Sequence, residues 1–104
     1  MDAQFDQFES ETAVLRKKVQ IKDALKRLTN NPDWDLVINQ EFKEKFVSEI
    51  MLALASGLVT NKKQKQRYIA YAMAPGFLMQ FCDAVISEGE SAEQSLREEK
   101  ETLQ

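Results

Sequence analysis

YIAYAMAPGFLMQFCDAVI, residues 68–86, is the stretch whose reading decides the fold. It is almost wholly apolar, yet Pro75 and Gly76 sit in its middle. Three readings compete: a membrane span, two short helices, or one bent helix that makes a seam with other helices. Spacing separates them. Tyr68, Tyr71, Pro75, Leu78, Cys82, Val85, Gly89, Ala92 and Leu96 alternate steps of three and four, a heptad pattern held over four repeats. Ile69, Met73, Phe77, Phe81 and Ile86 add a second flank. The repeat keeps phase across Pro75, which two independent helices need not do. It predicts one long helix, kinked at Pro75, with a turn at residues 74–76 as the alternative. The proline removes a hydrogen bond and crowds the carbonyl of Tyr71, at about 3 kcal/mol unless packing on both flanks offsets it. Cys82, Gly89 and Ala92 are small enough to let a second helix come close. Nineteen residues suffice to cross a bilayer. But Gln80 and Asp83 lie inside the run, and an Asp at the bilayer centre costs roughly 3 kcal/mol. A membrane partner is therefore disfavoured.

Outward from this stretch, composition points the same way. Three Gly and two Pro in 104 residues leave little material for a turn-rich β fold. Leu, Ala, Lys, Glu, Gln and Met, all good helix formers, are plentiful. The length fits one small domain with a limited core, whose stability then leans on a partner or on self-association. The expected organisation is a single domain over 1–104, with an amino-terminal arm over about 1–10 and a polar helical tail over about 88–104. The acidic start MDAQFDQFES has no apolar core of the kind a signal peptide needs.

Three further helical segments are expected. The first runs from Ser10 or Thr12 to Leu28. Val14, Ile21, Leu25 and Leu28, joined by Ala24, share one side at helical spacing. Phe8, Leu15 and Val19 form a second stripe about 120° around the same helix. That stripe meets either another chain or a third helix of its own domain. TNNPDW then breaks the helix. Asn30 is a candidate C-terminal cap in the left-handed conformation, and Asn31 a candidate N-cap with Pro32 at the first helical position. A short helix from Pro32 to about Asn39 follows, with Trp34, Val37 and Ile38 as core contacts. The next, from about Gln40 to Ser56, buries Phe42, Phe46, Ile50, Ala53 and Leu54, and carries a Glu41–Lys45 pair in the favourable order. Gly57 is a natural terminator, with Leu58 and Val59 closing the end. Asn61 with Gln64 resembles a capping box for the last helix.

Charge falls in blocks. Residues 16–27 carry six cations against Asp23, and acids dominate from Glu88 onward. Such blocks suit charge-matched packing, within one molecule or between copies. Lys62, Lys63, Lys65 and Arg67 lie in the first turns of a helix, where cations oppose the macrodipole. They are candidate anion contacts. An acidic protein surface fits them better than nucleic acid, because the net charge is −3. With no His and a single Cys, the usual general base, a standard zinc site and an internal disulfide are all excluded. Cys82 reads as a small apolar side chain and Asp83 as a surface acid. No catalytic, cofactor-binding or metal-binding residues are assigned, and no enzyme is expected.

The run ALKRLTNNPDWDLVINQEF, residues 24–42, resembles a pattern in small helical structural or assembly proteins of tailed bacteriophages. There an Ala-Leu-x-Arg-Leu helix end is followed by an Asn-Pro-Asp-aromatic turn, a Val-Ile element and a Phe. Here those positions are Ala24, Leu25, Arg27, Leu28, Asn31, Pro32, Asp33, Trp34, Val37, Ile38 and Phe42. The acidic ending ISEGESAEQSLREEKETL is similar to that family's C-terminal helix, while Ala74, Pro75 and Gly76 depart from it. The resemblance implies a virion or assembly component and supplies no site residues.

The expectation is therefore an all-α protein of three to four helices, with a long C-terminal helix and coiled-coil-like packing. Its expected partners are itself or a larger virion protein. It would work in the host cytoplasm during assembly, with the virion as a further place. Candidate interface residues are Phe5, Phe8, Leu15 and Val19 on the amino-terminal side and Leu78, Val85, Ala92 and Leu96 on the carboxy-terminal side. A phage-made inhibitor of a host enzyme or defence system and a nucleic-acid packaging factor are the alternatives.

Overall fold

The computed structural model describes the backbone of residues 3–103 and the side chains of residues 9–101. The candidate side chains Phe5 and Phe8 lie outside the described side chains. The described residues form helices and short turns, with no strand among them. In chain order these are α1 (Ala3–Thr29), α2 (Pro32–Trp34), a π-helical segment (Asp35–Phe46), α3 (Val47–Ala55) and α4 (Lys62–Leu103). The all-α class follows.

Local chemistry sets the boundaries. Asn31 is extended, at φ −73° and ψ 132°, and its side chain accepts a 2.8 Å hydrogen bond from the Asp33 N–H, with Pro32 opening α2. Asn30 does not adopt the left-handed conformation, since among the described residues only Gly57 has positive φ. α1 ends instead on a tight turn in which the Asn31 N–H donates to the Leu28 carbonyl at 3.1 Å. Gly57, at φ 75°, terminates α3, and Val59 folds back as a buried side chain while Leu58 stays exposed. Asn61 caps α4, accepting from the N–H groups of Lys63 at 2.8 Å and Gln64 at 3.3 Å. The start of the chain is helical from Ala3, so the expected arm belongs to α1.

The two middle helices expected over 32–39 and 40–56 are one continuous helical path over 32–55, with wide π turns in its centre. The Asp35 carboxylate ties the first wide turn, accepting 2.9 Å hydrogen bonds from Asn39 and Gln40, four and five residues on. These two donors hold its carboxyl below the ordinary 3.8. The widening moves the inward face. Trp34, Ile38, Asn39, Phe42, Lys43 and Val47 are half-buried, a repeat of roughly four to five residues, as i→i+5 bonding dictates. Val37 and Phe46, expected in the core from α-helical spacing, are therefore exposed. From Ile50 onward ordinary α spacing returns, and Ile50, Ala53 and Leu54 turn inward.

α4 is one helix with Pro75 inside it. Of the nine positions in the three-and-four row, only Tyr71 is exposed; the others are buried or half-buried, Cys82 among them. Asp83 is exposed.

The chain divides into two compact units. One holds Met1–Arg27 with Cys82–Gln104, and the other holds Leu28–Phe81. At 42 residues, α4 supplies its C-terminal part to the first unit and its N-terminal part to the second.

Candidate interaction surface

In the unit of residues 1–27 and 82–104, α1 and α4 run antiparallel. Glu11 and Leu15 share a groove with Glu99, Leu15 and Lys18 share another with Ala92, and Lys22 meets Glu93. The inward row of α1 is Thr12, Leu15, Val19, Lys22 and Leu25, of which Lys22 is buried and the others half-buried. Of the first expected stripe Leu25 is thus half-buried, while Val14, Ile21 and Leu28 are exposed; Leu15 and Val19 of the second stripe are half-buried. Lys22 is the most enclosed member of the row. It is 4% exposed, and its ammonium binds the Glu93 carboxylate, which also holds Arg97 at 3.4 Å. The hydrogen bond to Glu93 raises the Lys22 pKa above its ordinary 10.5, against the opposing effect of burial. The same bond lowers Glu93 below its ordinary 4.5, helped by the Lys22 charge.

Room for Lys22 comes from Gly89. A Cβ added there would collide with the Lys22 Cβ and lie 2.8 Å from its Cγ and Cδ. Ala92, one helical turn on, is buried as well. A charged side chain in the helix contact escapes a reading that scores lysines as solvent-facing. Its sequence signals were the block of cations over 16–27 matched by an acidic tail, and the small residues Gly89 and Ala92.

The unit of residues 28–81 is built differently. Phe42 and Phe46 lie with ring centroids 6.0 Å apart, Phe46 and Tyr71 at 6.3 Å, and Tyr68 and Tyr71 at 6.2 Å. Phe46, Ile50, Ala53, Tyr68 and Tyr71 line a groove of about 280 Å³. Ile50, Val59 and Pro75 are buried in this unit. Outside them a second row runs along α4. Ile69 is 50% exposed, Met73 52%, Phe77 57% and Phe81 61%, at intervals of four residues. Met51, Leu52 and Leu58 are also exposed.

The proposed interface residues thus divide. Leu15, Val19, Val85, Ala92 and Leu96 belong to the unit in which α1 and α4 pack together, and Leu78 is half-buried in the other. The free apolar row is the flank headed by Ile69. Lys62, Lys63, Lys65 and Arg67 are all exposed, and among the described residues none makes an ion pair. No three His, Cys, Asp or Glu among the described residues converge as metal ligands. One helix, over Lys62–Glu101, is long and apolar enough to cross a membrane, and its most apolar 18-residue window has mean hydropathy 1.4 with 11% of it buried. No family model, no curated protein and no solved structure matches this chain.

Proposed function

We propose that this chain is a non-enzymatic assembly protein of a tailed bacteriophage, which acts by helix-on-helix association with itself or with a larger virion component. The observation that carries the association is the row Ile69, Met73, Phe77 and Phe81, large apolar side chains standing in water on a helix whose other face is already used. Exposed apolar rows of this size mark binding surfaces. The four unpaired cations just before the row favour an acidic contact at its edge, and the three-and-four row of α4 favours coiled-coil-like packing. The phage assignment is supported by the resemblance over residues 24–42 and the acidic ending. Mass spectrometry of purified particles tests it: the protein is expected in mature virions or in assembly intermediates, and its absence from both rejects the reading.

A further inference from the structure

We propose that the groove lined by Phe46, Tyr68 and Tyr71 binds single-stranded nucleic acid, with bases stacked on the rings and phosphates held by Lys63, Lys65 and Arg67. The site goes beyond the association reading and does not use its row. By helix geometry Tyr68 and Tyr71 lie on the opposite side of α4 from Ile69 and Met73. Every residue of the site belongs to the unit of residues 28–81. Net charge and the apolar row of α4 counted against such a ligand in the sequence, and neither holds at this site. Residues 28–81 carry six cations and five acids, and the rest of the chain carries eight and twelve, so the acidity lies outside the unit. Tyr71 is the exposed member of the three-and-four row, so that row does not consume its ring.

The rings form a platform. Phe46 is exposed where the wide π turns shift the inward face, and it lies against Tyr71, which lies against Tyr68 in turn. Bases stack on such aromatic faces whatever their identity. Glu49, the acid that lines the groove, accepts hydrogen bonds only, and every base edge offers it an N–H.

Charge selects the ligand. By helix geometry Arg67 stands about 70° to one side of the tyrosine pair and Lys65 about 90° to the other, with Lys63 beyond Arg67. Lys62 lies near the far face and adds only long-range charge. These cations are exposed and make no ion pair among the described residues. An acidic protein surface would match the cations and leave the rings in water. An apolar helix would match the rings and leave the cations unpaired. A nucleotide carries a planar face and an anion in one unit, and a strand repeats both.

Fluorescence anisotropy of a labelled single-stranded DNA of about 12 nucleotides, titrated with the full chain, tests the site. Micromolar binding is expected at about 50 mM salt, with a log–log salt slope of about −2 for three phosphate contacts. Tyr71→Ala, with helicity retained by circular dichroism, should weaken binding about 5- to 100-fold and leave the slope unchanged, while Tyr71→Phe should bind as wild type does. Lys65→Glu combined with Arg67→Glu should weaken binding and flatten the slope toward about −0.7. The duplex of the same sequence should bind several-fold more weakly, because its bases are already stacked on one another. No binding at low salt overturns the proposal. So does binding that Tyr71→Ala leaves unchanged, or a duplex that binds as tightly as the single strand, since charge alone would then hold the ligand. Competition by polyglutamate as effective as by unlabelled strand overturns it in favour of an acidic protein surface.

Discussion

The two units bury their side chains by opposite means. Where α1 meets the C-terminal part of α4, contact is made by small residues and charge: Gly89 and Ala92 let the helices close, and Lys22 finds Glu93. Among the described residues of that unit only two large apolar side chains, Val14 and Ile21, are exposed. Residues 28–81 expose thirteen, from Leu28 to Phe81. The other large apolar side chains described in the first unit are half-buried. The second has aromatic contacts but leaves an apolar row free. Water penalises exposed apolar area at about 25 cal/mol per Å², so the second unit is where association has most to gain.

Gly89→Val should break the first unit most severely. The added side chain enters the space of the Lys22 stem, and overpacking of this kind costs roughly 1–3 kcal/mol. A thermal midpoint equal to that of wild type would mean that the two helices are not held in contact there. Glu93→Ala comes next, because it strands a buried ammonium. Its destabilisation should depend on pH. Glu93 has a lowered pKa, so its contribution is complete above the ordinary 4.5 and is lost as the pH falls through the lowered value. Lys22 has a raised pKa, so its contribution is complete below the ordinary 10.5 and is lost as the pH rises through the raised value. Wild type and Glu93→Ala should therefore differ most between those limits and converge in acid. A constant difference across the acid range would refute the pair.

Smaller effects are expected in the second unit. Met73→Ser and Phe77→Ser, on an exposed row, should change the stability of the monomer by no more than about 0.5 kcal/mol while weakening any association. A large loss of monomer stability would show that the row is covered within the chain, and the contrast between units would fail. Asp35→Asn should have the least effect. The Asp35 carboxyl has a lowered pKa, so it stabilises the wide turn above the ordinary 3.8 and loses that contribution as the pH falls through the lowered value. The variant should flatten the acid limb of a helicity titration slightly; an identical titration would separate the carboxylate from the π turns.

Much of the fold was legible because it is local or periodic. Asn31 before Pro32, Asn61 before Lys62, and Gly57 act on backbone groups within a few residues of themselves. The unbroken row from Tyr68 to Leu96 announced a helix that continues through Pro75. The candidate surface was less legible. The stripe of Leu15 and Val19 could meet either another chain or a helix of its own domain, and spacing along α1 does not choose between them. Ile69, Met73, Phe77 and Phe81 were read only as a flank.

The amino-acid sequence by itself determined that this protein is helical, where most of its helices end, and that α4 has a preferred face. Capping and heptad spacing are short-range properties, and no distant residue is needed to enforce them. Tertiary structure alone decided which side of α1 is inside and which apolar row is left uncovered. Lys22 is buried only because Glu93, 71 residues further on, neutralises it beside a glycine that leaves room for its stem. A charge that distance makes tolerable cannot be distinguished, along the chain, from one that faces water.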